Sequence, residues 1–456
     1  MRKIIFLAFL QLAFARMEAQ QSDSVALRTI YTETLVNSQA YEWLRDLTQN
    51  IGGRLSGSPE AARAVQWARE RMIEAGADTV ILQEVMVPHW VRGPKETAAI
   101  IESNGNRTDV AICALGNSIA TPKEGVRAEV IEVNNFEELE KLGEAVRGKI
   151  VFYNYAFDDS YINTFEAYGN AVKYRWAGAG RAAKYGAVAT VCRSMTNSRD
   201  NFPHTGSMHY ADTLPKIPCC AISTMGADLL SRVIRANKHT QFEFRQDCQM
   251  LDSVLSHNVI GELRGTEFPD EYVVVSGHLD AWDNGEGAHD DGAGIVQSID
   301  AIRTLRNAGL RPKRTIRAVA YMNEENGLRG GVVYANEAKA KGEKHVAAME
   351  SDAGGFLPIG FGLDMEEEQR ARIKSWAPLF RPYGVYDFEG KWGGADISKL
   401  ENMNVPQMGL HVSSQRYFDF HHAGSDTFDM VNKRELLLGA ASMTAMAYLI
   451  AMHGLQ

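Results

Sequence analysis

Four short apolar runs constrain this chain more than anything else in it: YVVVSGH at 272–278, TIRAVAYM at 315–322, HVAAM at 345–349 and VPQMGLHV at 405–412. They are too short for helices and lack the polar alternation of a strand with one wet face, so they read as strands buried on both sides. Stretches of helical period separate several of them, among them Ala293 to Asn307 and Gly327 to Lys341. Apolar strands alternating with helices predict an α/β fold, a mainly parallel mixed sheet flanked by helices. The chain carries no internal repeat and no low-complexity tract.

A length of 456 residues favours two or three domains. Near the start, Ala40 to Leu47 and Pro59 to Ala75 read as helices, the second with Ser58 as N-cap, Pro59 in its first turn and Glu60 suited to the helix dipole. The loop GGRLSGSP joins them, and Thr79 to Pro88 and Glu96 to Ile101 are strand-like. From about residue 118 the character changes. Strands at Val126–Val133, Lys149–Tyr153, Ala187–Cys192 and IPCCAIS alternate with helices at Asn135–Val146, Tyr174–Tyr185 and Ser223–Asn237. The expected division is one domain from 20–117 and 251–456, interrupted by a self-contained unit at 118–250.

Arg2 and Lys3 precede an apolar run from Ile4 to Ala15, the pattern of an export signal over residues 1–19, with Ala19 last before cleavage. The run is shorter than the ~20 residues that span a bilayer, so no stable membrane anchor is expected and the mature chain should be periplasmic or extracellular. The apolar stretch Leu436 to Met452 is broken by Gly439, Ser442 and Thr444 and reads as a buried core helix. With 48 basic residues against 57 acidic ones, the net charge of −9 offers no positive field to a phosphate backbone, so nucleic acid is excluded as an expected partner. The five cysteines have no CxxC spacing, which leaves room for one disulfide bridge but for no zinc knuckle; adjacent Cys219 and Cys220 fit a strand as small apolar residues.

In open α/β sheets ligands bind beyond the carboxyl ends of the strands, and the residues following each run are metal-binding types. His278 ends the first, with Asp280 spaced so that its carboxylate can hold the other imidazole nitrogen. Asp290 and Asp291 open the helix beyond, where a carboxylate can bridge two cations. Glu324 and Glu325 follow the second run, Asp352 the third, and His421 and His422 lie past the last. Any of these alone is an ordinary polar residue, but crowded carboxylates at an apolar sheet end call for a compensating cation. Histidines and carboxylates without cysteine suit two Zn2+ ions sharing one carboxylate, and manganese or cobalt fits the same donors.

The segments SGHLDAWD, AHDDGAG, MNEENGLRGG, ESDAGG and HHAGSDT, in this order, resemble the dinuclear zinc exopeptidases related to bacterial zinc aminopeptidases. The likeness runs from GGRLSGSPEA to the last helix, and the inserted unit resembles a protease-associated domain. The resemblance implies that His278 and Asp352 bind one zinc, that Glu325 and His422 bind the other, and that Asp290 bridges them. His422 is preferred to His421 because the family's histidine stands four positions before an acid that precedes threonine, here Asp426 and Thr427. Glu324 would be the general base, Asp280 the partner of the first histidine, and Asp291 the residue after the bridging ligand, where the family often has a cis peptide. WGGADIS places Asp396 close to the site, and Tyr417 near it either donates to a developing oxyanion or packs. The inserted unit is assigned no chemistry; the resemblance alone suggests a homodimer.

The implied function is hydrolysis of short peptides or dipeptides by a water held between two metals, with aminopeptidase, dipeptidase and carboxypeptidase action left open. Two alternatives are a single-zinc acyltransferase like glutaminyl cyclase and a non-catalytic binding protein of the same fold, as the transferrin receptor is. The filled donor positions and the retained Glu324 argue against both.

Overall fold

Strands form where the apolar runs stand. The computed structural model describes residues 22–455 and gathers seven strands into one sheet. In spatial order they are Thr79–Val91, Gln249–Leu263, Arg314–Tyr321, Phe268–His278, Lys344–Glu350, Gln407–Val412 and Pro358–Asp364. From Arg314–Tyr321 to Gln407–Val412 neighbours pair in parallel, and the pairings outside them are antiparallel. The parallel part is confined to the centre because helical crossovers, Ala293–Asn307 and Arg329–Lys341, connect strands there.

The unbroken apolar runs reflect two separate cores. Val273, Val275, Ile316, Ala318, Ala347 and Met349 pack with the helices Ala293–Asn307 and Lys433–His453. Their neighbours Val274, Val319 and Ala348 point the other way, toward Tyr334, Ala335 and Leu400. Each fully buried valine or isoleucine contributes about 1.5–3 kcal/mol, so neither face tolerates a charge. The helix Lys433–His453 is long and apolar enough to cross a membrane, but 83% of its most apolar window is buried and it packs against the sheet as a core helix.

Eight further strands form a second mixed sheet in the order Arg107–Asp109, Thr97–Ile101, Gln241–Arg245, Val126–Val133, Ile150–Tyr153, Ala189–Arg193, Cys219–Ile222 and Ile112–Ala114. Ile100, Val130, Phe152, Val191, Ile222 and Phe242 share a core of their own. The expected boundary at residue 118 therefore falls inside this sheet, which starts at Thr97: Thr97–Ile101 pairs with Gln241–Arg245, and Ile112–Ala114 with Cys219–Ile222. The helix expected from Tyr174 begins at Thr164, capped by Asn163 Oδ1, which accepts from the Phe165 amide at 3.1 Å. Gly169 weakens the helical signal of its first half. All five cysteines are buried free thiols, and Cys219 and Cys220 occupy a strand. The segment 1–19 expected to direct export lies outside the described residues.

Candidate metal centre

Three parallel strands end at one edge, and each delivers donors to it. Phe268–His278 closes on His278. Arg314–Tyr321 runs into a turn, with Asn323 at φ 73°, that carries Glu324 and Glu325. Asp352 stands two residues beyond Lys344–Glu350. A tight turn entered through Gly287, at φ 61°, supplies Asp290, joined to Asp291 by a cis peptide. His422, at φ 62°, follows the short helix Tyr417–Phe420.

The five expected metal donors converge. Asp290 turns Oδ1 to His278 Nε2 at 3.2 Å and Oδ2 to His422 Nε2 at 3.3 Å. Asp352 Oδ1 lies 3.4 Å from His278 Nε2, and Glu325 Oε2 lies 3.1 Å from His422 Nε2. His421, its ring stacked on that of His422 at 3.6 Å, stands farther off, with Nε2 3.8 Å from Asp290 Oδ2. Two donors each about 2.1 Å from a tetrahedral zinc stand about 3.4 Å apart, so both triads, His278–Asp290–Asp352 and His422–Asp290–Glu325, have the spacing to hold an ion. Among the described residues no hydrogen bond reaches Asp290 Oδ2 or Glu325 Oε1, both buried. Buried carboxylate oxygens without partners are costly unless a cation compensates them, so these residues fit a metal.

The electrostatics point the same way. Burial pushes Glu325 and Asp352 upward, with the charge of Asp290 adding to each. Burial also raises Glu324 to about 8, helped by Asp352 and Asp280 and opposed by His278. Burial works against ionisation of Asp290 too, but the hydrogen bond from His278 and the charges of His422 and His421 hold it below the usual carboxylate range. Carboxyls crowded in this way are what a divalent cation relieves.

The supporting contacts differ from expectation at Asp280. Its backbone carbonyl, not its carboxylate, meets His278 Nδ1, at 2.9 Å; the carboxylate stays 4.0 Å away. Oδ1 instead accepts from the amides of Asn323 at 2.7 Å and Glu324 at 3.0 Å, which fixes the turn carrying Glu324. Asp291 accepts from the amides of His278 and Gly294, both at 3.0 Å. Asp426 does the same for the amides of His289 at 2.8 Å and Asp290 at 3.1 Å. Asp396 is buried beside Glu350, which accepts from its amide at 3.3 Å, and both Asp396 carboxylate oxygens lack partners among the described residues. Sequence reasoning missed Arg54: fully buried, it donates to the carbonyls of Leu279 at 2.7 Å, Glu286 at 2.9 Å and Gly287 at 3.0 Å, fastening the loop between His278 and Asp290. The only hint was a lone arginine in a glycine and serine loop.

A cavity of about 410 Å³ opens over the donors, lined by Glu324, Asp290, Asp352, His422 and Tyr417. A second, of about 660 Å³, adjoins it at Phe165 and Asp352 and is walled by Trp392, Leu410 and Val412. The inserted unit supplies no donor to the triads but does wall the first cavity, through Tyr168, Arg175 and Ser207. It is bonded to the site as well: the Thr205 amide donates to the His422 carbonyl at 2.9 Å, and Ser207 Oγ to the Glu325 carbonyl at 2.7 Å. No spacing in the sequence announces these contacts.

Comparison with known proteins agrees with the geometry. The profile of Peptidase family M28 matches residues 258–447. Carboxypeptidase Q of Homo sapiens is 36% identical over 414 residues, 91% of this chain and 85% of that one. Carboxypeptidase Q of Bos taurus is 34% identical over 428 residues, 94% and 88% of the two chains. The crystal structure of a peptidase M28 precursor from Shewanella amazonensis superposes with a TM-score of 0.90 at 31% identity, covering 95% of this chain and 97% of that one. BSAP, a zinc aminopeptidase from Bacillus subtilis, shares the fold, with a TM-score of 0.64 at 17% identity over 91% of this chain and 95% of that one. The chain belongs to peptidase family M28, a family of zinc peptidases.

Proposed function

We propose that this chain is an exported exopeptidase that hydrolyses short peptides or dipeptides at a centre for two zinc ions. His278 and Asp352 would hold one ion, Glu325 and His422 the other, and Asp290 would serve both. The observation that carries this reading is the disposition of Asp290, one oxygen toward each histidine at 3.2 and 3.3 Å. When bound, the ions would supply Lewis acidity toward a carbonyl oxygen and acidify a water molecule.

The remaining chemistry falls to side chains in the cavity. Glu324 lines it, and the hydrogen bond from its amide to Asp280 aims the residue from the backbone. Its carboxylate takes the proton of the attacking water and returns it to the departing nitrogen, which makes it the general base and then the general acid. Tyr417 also lines the cavity, a position from which its hydroxyl can donate to the oxyanion. Export rests on the basic head Arg2 and Lys3 and the apolar run that follows.

Metal analysis of the purified protein together with a panel of free, N-acetylated and C-amidated dipeptides tests the reading. It expects two zinc equivalents per chain, cleavage of free dipeptides, loss of cleavage on chelation and recovery with zinc. Cleavage that survives complete metal removal, or none on any peptide by the zinc-loaded protein, contradicts it.

A further inference from the structure

The chain has seven tryptophans, all among the described residues, and five of them are buried. The two left open are Trp176, 49% exposed, and Trp392, 39% exposed. Each walls one of the two cavities at the candidate metal donors, Trp176 the first and Trp392 the second. An indole left in water forgoes what its apolar surface would gain in a core, so an open tryptophan in each of two cavities that meet at one centre marks a surface kept for something that covers it.

Trp176 is held where it stands. It lies on the helix Thr164–Ala183, which turns Phe165, Tyr168, Arg175 and Trp176 to the first cavity. Its ring stacks on the His209 imidazole, with centroids 5.6 Å apart and planes 14° apart, and the His209 amide donates to the Trp176 carbonyl at 2.9 Å. A ring braced in this way presents contact area while losing little rotamer freedom when a ligand arrives. Leu328 lines the same cavity from the turn that carries Glu324 and Glu325, at φ 55° and ψ 25°. A leucine adopts that left-handed conformation only under constraint, and such strain collects where a side chain has a task.

The position of the general base decides which part of a substrate meets these two side chains. Glu324 lines the first cavity and not the second, and in the reading above it returns the proton to the departing nitrogen, so the residue that leaves carries its side chain into the first cavity. Arg175, the one lysine or arginine among the residues lining this cavity, opposes a basic side chain there. A braced indole and a leucine suit a large apolar side chain, and a flat ring best.

We propose that Trp176 is a specificity-determining residue that selects a large apolar side chain, aromatic above all, on the residue released with the new amino group. The inference rests on the peptidase reading above and adds to it the class of side chain accepted on the leaving side. The second sheet's unit would in this way take part in choosing the peptides that the other unit cleaves.

The test measures kcat and KM of the zinc-loaded protein on two dipeptide pairs, Ala-Phe with Ala-Gly and Phe-Ala with Gly-Ala, in wild type, W176A and W176F. Wild type is expected to favour Ala-Phe over Ala-Gly by about tenfold or more in kcat/KM, the scale of an apolar group finding a pocket. W176A should lower that ratio by about fivefold or more, chiefly through KM of Ala-Phe, and W176F should lower it less, while the ratio of Phe-Ala to Gly-Ala stays as in wild type. If W176A does not fold, the smaller drop in W176F carries the comparison. Equal handling of Ala-Phe and Ala-Gly by wild type overturns the inference. So does a loss in the variants shared equally by both members of the first pair, which would make Trp176 a support of the cavity only, and so does a shift confined to the second pair, which would set the other residue of the substrate against it. In each of these outcomes dipeptides are still cleaved and the peptidase reading survives. No cleavage of any of the four by wild type defeats that reading and this inference with it.

Discussion

Asp290 serves two histidines because its backbone is held before its side chain is used: Asp426 takes its amide at 3.1 Å and that of His289 at 2.8 Å. The convergence of His278, Asp290, Glu325 and Asp352 was legible in the sequence because each stands just past an apolar run or a glycine turn; His422 follows a short helix, Tyr417–Phe420, and was picked out only by the resemblance. The role of Asp280 was not, since a spacing of two residues does not decide whether a carbonyl or a carboxylate meets the imidazole. At Glu324 the account predicts that Glu324→Gln lowers kcat by about 10²–10⁴-fold while metal content, read by mass spectrometry, stays at the wild-type level. A second residue reports on stability instead. His345 accepts from the Tyr334 hydroxyl at 2.8 Å, its buried Nδ1 has no partner among the described residues, and burial, with the charge of Arg317 adding, pushes its pKa from 6.5 to about 4. The unfolded chain therefore binds this proton first. The stability tied to His345 is whole above pH 6.5 and drains as pH falls toward 4, by up to about 3 kcal/mol. Denaturant midpoints for wild type and His345→Gln should converge over that window; a constant gap between them would contradict the assignment.

Helix ends were readable at two serines, Ser58, which caps Pro59–Glu74 and accepts from the Ala61 amide at 3.0 Å, and Ser223, which caps Thr224–Ala236 through the Gly226 amide at 3.1 Å, but not at Asn163, which caps Thr164–Ala183. Loops were not readable, because what holds them is distant in sequence. The loop between His278 and Asp290 depends on Arg54, whose removal strands three of that loop's carbonyls and the Gly52 carbonyl besides, at a cost of about 1–3 kcal/mol each. Arg54→Met should thus lower both the thermal midpoint and the zinc affinity. Ser58→Ala, a lost cap worth about 1 kcal/mol, should lower the midpoint slightly and leave zinc affinity alone. Calorimetry paired with zinc titration separates the two. An Arg54→Met protein that binds zinc as wild type does would show that the loop needs no such fastening.

At the scale of the whole chain, the parallel centre of the first sheet was legible because strands buried on both faces leave no other pattern. The extent of the second sheet was not, since Thr97–Ile101 and Ile112–Ala114 find partners in Gln241–Arg245 and Cys219–Ile222, far along the chain and invisible to any local signal. That long-range closure also lets the second sheet's unit wall a cavity whose candidate metal donors all come from elsewhere. The central claim is that the two triads, sharing Asp290, are two metal sites. Anomalous diffraction at the zinc edge from zinc-soaked crystals tests it most directly. The account predicts two peaks flanking Asp290, one about 2.0–2.2 Å from donors of His278 and Asp352 and the other equally near Glu325 and His422. A single peak, or density away from these five side chains, would contradict it.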